Sequence, residues 1–419
     1  MNNQRRAQIV LFAFLTVSIG GAADWPQWRG PDRNSISHET GLLQQWPQAG
    51  PKLLWRLNDV GDGYGTVAVV GERFYIVGNT GMESEHVQAR NVSDGKKIWQ
   101  AEIGKVGDPD QQPHYPKARS TPVLEGGVLY AEGSAGDVVA VQVATGERLW
   151  HKSLKDDFNG QHGKWAYGES PLIDGDVVVV TPGGAEATIV ALKKSNGETI
   201  WKSAVPGGDV AGYASPVVSE AAGRKQYVHF LNAGVVGVDA ASGKFLWRYA
   251  KTSTGPANIA DPLVHDGYIY STNARRFGGA LVKLNKTSDG VAAEEVYFER
   301  YAPNTLGGQI LLDGILYGTN SQGLVAADFM TGKVRWQAEG GPGSVVYADG
   351  QLYVHWESGE VTLVDATPEE FREKGRFTPN DPAEHLLGDR EMAWSYPVVA
   401  NGRLYIRDMG VLWCYEVSR

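Results

Sequence analysis

The stretch Ala326-Ala327-Asp328-Phe329-Met330-Thr331-Gly332-Lys333-Val334-Arg335-Trp336 decides how the chain is read. Small residues lead into a polar turn, and a glycine stands four positions before a tryptophan. Four other segments repeat the arrangement: Ala89–Trp99, Ala140–Trp150, Ala191–Trp201 and Gly237–Trp247. The Gly/Trp pairs fall at 95/99, 146/150, 197/201, 243/247 and 332/336. Physically this is a tight hairpin: an outgoing strand, a polar turn closed by glycine at positive φ, and a return strand that sets tryptophan at a fixed outer position. Trp99, Trp150, Trp201, Trp247 and Trp336 are therefore expected to be structural docking residues. The last gap spans about two repeats, and Gly290 followed by Val296-Tyr297 fits the drifted copy.

A second series has the same pitch. A turn followed by an apolar strand recurs at Gly71–Tyr75, Gly126–Tyr130, Gly175–Val179, Gly223–Tyr227, Asp266–Tyr270, Asp313–Tyr317, Asp349–Tyr353 and Asn401–Tyr405. Their mean spacing of about 47 residues is the span of one four-stranded propeller blade. The chain ends on Val411-Leu412-Trp413-Cys414-Tyr415, a third strand lacking its fourth, while Lys52-Leu53-Leu54-Trp55 is a fourth strand with nothing before it. Pairing them closes a ring and removes the open edge between first and last blades. The expectation is all-β: an eight-bladed β-propeller of four-stranded antiparallel blades over residues 51–419, its last blade closed by an N-terminal strand. Helical patterning is confined to Pro368–Lys374, read as a short helix on the seventh blade. Residues 24–50, with Trp25, Trp28 and Trp46, are expected to pack on the ring as a belt.

Composition narrows the function. The 419 residues include 53 Gly, and 39 Lys plus Arg stand against 48 Asp plus Glu for a formal charge of −9, which disfavours nucleic acid as the partner. A single cysteine, Cys414, excludes an intramolecular disulfide, a thiolate zinc cluster and a CxxC redox pair. Arg5 and Arg6 precede an apolar run from Ile9 to Ile19 and the small residues Gly20-Gly21-Ala22-Ala23. This reads as a signal peptide over 1–23, cleaved near Ala22/Ala23, and hence an exported protein of the periplasm or exterior. Nothing else is long and apolar enough to span a membrane. A monomer is expected.

The hairpin repeats resemble the tryptophan-docking motif of the pyrroloquinoline-quinone (PQQ) repeat propellers. The opening Trp25-Pro26-Gln27-Trp28-Arg29-Gly30-Pro31 is similar to the start of exported bacterial PQQ-binding-like repeat proteins. The likeness covers essentially the whole mature chain. It implies the propeller fold of the quinoprotein alcohol dehydrogenase-like superfamily, whose members include PQQ-dependent dehydrogenases and a scaffold lipoprotein of the outer-membrane assembly machinery that binds no quinone. Fold alone does not choose between them.

Aligning the eight copies puts Thr66, Thr121, Ser170, Ser215, Asp261, Gly308, Ser344 and Tyr396 at one inner position of the ring. Just upstream, at one mouth of the channel, come Tyr64, Arg119, Glu169, Tyr213, Asn258 and Trp394. Two long connections add His114, Tyr115, Lys117, His162, Lys164, Trp165 and Tyr167. A mouth built from several blades is how such folds make a pocket. If the chain is an enzyme, the resemblance implies a calcium- and PQQ-dependent dehydrogenase of alcohols or sugars. Arg119 would anchor an anion, Trp165 or Trp394 would stack, and Glu169, Asn258 and Asp261 would ligate calcium, with Glu169 or Asp261 taking the proton. Structural ion pairing of the same groups is the alternative. His114 and His162 lack a metal-binding spacing.

Against an enzyme stand the missing cysteine pair, the missing CxxCH haem attachment and the absence of HExxH, GxSxG and GxxxxGK[ST]. The favoured expectation is an exported binding or scaffold module that meets a protein or polymer through its channel face. The alternatives are the dehydrogenase and an envelope scaffold of outer-membrane assembly.

Overall fold

The computed structural model describes residues 23–107, 117–255, 257–273, 278–288, 290–304, 308–382 and 393–419. The expected signal peptide, His114 and Tyr115 lie outside these residues. Eight antiparallel sheets follow one another around a ring, and the series closes on the sheet ordered Lys52–Leu57, Val411–Glu416, Arg403–Asp408, Val398–Ala400. Blades 1 to 7 span 68–104, 123–153, 172–203, 217–249, 263–299, 310–337 and 343–377; blade 8 is 398–416 plus 52–57. At the seam Trp55 pairs with Cys414 and Arg56 with Trp413. The drifted copy is blade 5, where Tyr297 stands at the tryptophan position and its hydroxyl donates to Phe329 O at 2.8 Å.

Each blade carries the same irregularity. Pairing between third and fourth strands slips by one residue just before the docking position, leaving Ile98, Leu149, Ile200, Leu246, Val296, Arg335, Lys374 and Leu54 as the extra residue. Such a bulge twists the outer strand and blunts it as a template for further pairing. The docking tryptophans then reach across to the next blade. The indoles of Trp99, Trp150, Trp201 and Trp336 donate to Val143 O, Lys194 O, Ala240 O and Thr367 O at 2.8–3.1 Å. Trp247 turns inward instead, to Gln226 Oε1 at 2.6 Å.

The repeated glycine has a second reason besides its turn. Gly146 (φ +79°) lies under the Trp99 ring, where a Cβ would come within 2.9 Å of ring carbons. Gly197 and Gly243 are placed in the same way beneath Trp150 and Trp201. Gly146→Ala is therefore expected to cost about 1–3 kcal/mol. Gly126→Ala, also at positive φ but with nothing within 4 Å, bears only the conformational part. Urea titration of both variants reads the docking contact as their difference.

The expected helix at Pro368–Lys374 is not formed. Residues 368–369 form a bend, 370–372 are irregular, and Glu373–Phe377 is the fourth strand of blade 7. The strand satisfies the ladder of Val361–Asp365, a tertiary demand that overrides the local helix propensity of a glutamate-rich run. The one α-helix among the described residues is Leu154–Phe158, capped by Ser153.

Candidate functional site

The aligned inner positions form a hydrogen-bonded girdle. Thr66 N–H donates to Thr121 Oγ1 at 2.9 Å, Thr121 N–H to Ser170 Oγ at 2.9 Å, and Ser170 N–H to Ser215 Oγ at 3.0 Å. Ser215 N–H then donates to Asp261 Oδ1 at 2.6 Å. Blades 1 to 4 thus each hold the next by the innermost residue. Blade 6 interrupts the relay with Gly308, where a Cβ would meet Arg29 and Tyr396 near 3 Å.

At the mouth two aromatic pairs stand on either side of a cationic connection. Tyr64 tilts against Trp394 at 5.3 Å, and Trp165 against Tyr213 at 5.7 Å. Lys117 and Arg119 lie over the Tyr64 ring at 5.8 and 6.0 Å, and Lys164 over Trp165 at 5.4 Å. Arg119 also packs on Gly168, which a Cβ would close to 3.0 Å. The Tyr213 hydroxyl accepts from Trp165 N–H at 2.8 Å, and burial raises its pKa. His162 is tied locally, Nδ1 to Gly163 O at 2.6 Å, with its ring edge on Tyr167. Tyr167 is buried and donates to Pro182 O, so it supports the wall rather than lining the opening.

The far end of the channel is occupied by the chain itself. Trp25 pairs with Val69 of blade 1, Pro26 O accepts from Leu124 N–H of blade 2, and Ile36–Ser37 adds a parallel strand to blade 7. Between these anchors the segment crosses the bore. Trp28 Nε1 donates to Asp261 Oδ2 at 2.6 Å, and its ring meets Tyr396 edge-on at 4.6 Å. Arg29 donates to Gln309 O at 2.7 Å and lies 3.7 Å from the Asp261 carboxylate. Arg33 donates to Ser170 O and Pro171 O.

These contacts decide whether Glu169, Asn258 and Asp261 suit calcium. Asp261 has both oxygens in use, one for Ser215 and one for Trp28 and Arg29. Glu169 Oε1 accepts from Thr181 N–H at 2.6 Å, and Oε2 faces His229 Nε2 at 2.9 Å. Asn258 donates to Leu231 O and Asn232 O while its Oδ1 accepts from Asn273 Nδ2 at 2.7 Å. Among the described residues no group of three or more His, Cys, Asp or Glu side chains is arranged to hold a metal. The set does not fit a resident calcium, and no step through PQQ or calcium follows from it.

Sequence reasoning missed the acidic core beside the mouth. Glu132 ends the second strand of blade 2 fully buried, its carboxyl oxygens orphaned except toward Glu169, with Glu85 nearby. Burial first, then those two carboxylates, raises the Glu132 pKa. Burial likewise pushes Glu85 up to about 7 against two hydrogen bonds from Ser134. Both faces of the strand Val128–Glu132 are buried, so no alternation of polar and apolar residues marked Glu132 in the sequence.

The family model described as "Outer membrane protein assembly factor BamB" matches residues 32–168 and 86–338, which include the docking repeats and most of the girdle. The chain belongs to this family. A BamB of Burkholderia pseudomallei is 25% identical over 198 residues, covering 46% of this chain and 44% of that relative. The match thus reaches less than half of the relative's length. Among solved structures, BamB from Moraxella catarrhalis superposes with TM-score 0.59 at 18% identity, covering 87% of this chain and 99% of that one. The quinohemoprotein alcohol dehydrogenase of Comamonas testosteroni reaches TM-score 0.66 at 14% identity, covering 94% and 80%. These likenesses establish a PQQ-like repeat propeller shared by BamB proteins and dehydrogenases. Among the described residues no helix is long and apolar enough to cross a membrane.

Proposed function

We propose that this BamB-family propeller is a non-catalytic binding module that docks a protein of the cell envelope on its mouth face. The observation that carries the reading is a division of labour in the channel. Carboxylates that would serve a cofactor are spent on internal partners, whereas the mouth presents aromatic rings with cations beside them. Aromatic side chains and arginine are enriched in protein interfaces and dominate their energetics, and Tyr64, Trp165, Tyr213 and Trp394 with Arg119 supply both here. Family membership favours an assembly role over oxidation, and the absent haem motif and cysteine pair point the same way. Export to the periplasm, expected from the first residues, belongs to this proposal.

Site-specific photocross-linking tests it in cells. A photoreactive residue replacing Lys164 is expected to give one discrete protein adduct, lost when Trp394→Ala is added. The same residue at Met330, exposed on the outer edge of blade 6, is expected to give none. Adducts of equal yield at both positions, or dye-linked alcohol oxidation dependent on added PQQ and calcium, would refute the proposal.

A further inference from the structure

We propose that Arg29 and Arg33 are the resident cations of this channel, so that the N-terminal segment takes the place a metal would hold in a carboxylate-lined bore. The claim concerns the end of the channel opposite the mouth and does not depend on what the mouth binds.

Three observations combine. First, both guanidinium groups are buried, with Arg29 3% and Arg33 7% exposed. Two buried cations side by side would be untenable without anionic partners. Second, those partners are the carboxylates that sequence and fold single out as metal ligands. Arg29 lies 3.7 Å from Asp261, and Arg33 is within the field of both Asp261 and Glu169. Third, the backbone is held in an unfavourable form to deliver them. Arg29 (φ 60°), Arg33 (φ 53°) and Ser35 (φ 63°) are all left-handed, a conformation that persists in non-glycine residues only where the surroundings enforce it. The enforcing contacts are the Trp25–Val69 bridge on one side and the Ile36–Ser37 strand on the other.

Arginine suits this role better than a simple ion. Its planar fork donates to several acceptors at once: Arg29 serves Ser35 Oγ and Gln309 O, and Arg33 serves Ser170 O and Pro171 O. Each guanidinium therefore neutralises carboxylates and also ties blades together. A bore filled in this way is a blind cup, entered from the mouth alone.

The test separates charge from packing and has a readout on the unaltered protein. Full-length wild-type protein, titrated with calcium chloride and with terbium(III), is expected to show no rise in melting temperature and no terbium luminescence sensitised by Trp28. Stoichiometric calcium binding with thermal stabilisation would overturn the proposal. Arg33→Met removes charge and keeps bulk, whereas Arg33→Lys keeps charge. The proposal expects the methionine variant to melt several degrees lower than the lysine variant, and millimolar guanidinium or calcium ions to recover part of that loss. Equal melting points for the two variants, or a higher one for methionine, would overturn it. If the methionine variant does not fold, Arg29→Gln against Arg29→Lys supplies the same comparison.

Discussion

Arg407→Met is expected to destabilise the protein by about 3–5 kcal/mol and to do so by opening the seam between the last and first blades. Arg407 sits on the second strand of blade 8, 1% exposed, and among the described residues its hydrogen bonds go to backbone carbonyls rather than to a carboxylate. Its Nη1 donates to Gly65 O at 2.5 Å and Val77 O at 2.9 Å, Nη2 to Gly61 O at 3.0 Å, and Nε to Met409 O at 2.9 Å. Three of the four acceptors belong to blade 1 or its entry, so one side chain spans the junction. Burial lowers its pKa to about 9, partly offset by the field of Asp62, Glu85 and Asp408. Methionine fills similar volume but leaves those carbonyls without this donor. Hydrogen exchange should locate the damage: amides of Lys52–Leu57 and Val411–Glu416 are expected to lose protection before those of blades 3 to 6. Uniform loss of protection would show that the seam is not where the ring gives way.

The second large effect is a pH dependence that one substitution should reduce. Glu85 has its pKa raised to about 7, and Glu132 is raised too. A carboxyl whose pKa is higher folded than unfolded contributes stability below its unfolded value and loses it as pH rises through the folded value. For Glu85 that loss is about 3 kcal/mol, from a shift of roughly 2.5 pH units. His86 acts in the opposite sense. Burial, then Lys97, Arg407 and Arg90, depress it to about 4, so its contribution is present above its unfolded pKa and lost on acidification. The Glu85 and His86 effects oppose and nearly cancel between about pH 4.5 and 6.5, and above that window the two raised carboxyls leave a decline in stability. The groups facing Glu132 are Glu169, Glu85 and Tyr167. Glu132→Gln mimics the protonated acid permanently, since its amide can donate to Glu169. The variant is expected to gain stability at pH 8 and to match wild type near pH 5. Urea titrations at the two pH values check this, and an equal change at both would mean that no proton is involved.

The propeller was readable because its information is repeated. Glycine four residues before tryptophan is a local signal, and five copies outweigh the drift of blade 5, where tyrosine does the same work. The inner register followed from the same alignment, which is why Thr66, Thr121, Ser170, Ser215 and Asp261 could be grouped before their hydrogen bonds were seen. The bore was not readable in this way. Trp28, Arg29 and Arg33 lie outside every repeat, and an arginine in a polar stretch gives no sign that it is buried. The expectation of a belt over residues 24–50 carried no hint of contacts reaching blades 3, 5 and 6. Glu169, Asn258 and Asp261 stood out in the sequence as polar residues at or just upstream of the inner position. Their partners come from blades and segments distant in sequence, so what they do there was hidden. The helix expected at Pro368–Lys374 failed for the converse reason: a strong local preference met an empty place in a sheet.

The joining of Lys52–Leu57 to Val411–Glu416 has a consequence for the birth of the molecule. The earliest part of the ring to leave the ribosome must wait, unpaired, until Val411–Glu416 has been made. Contacts of such long sequence separation slow folding, and meanwhile Leu53, Leu54 and Trp55 stay available to wrong partners. A ring locked by this pairing stays open in any chain that stops short of Val411–Glu416.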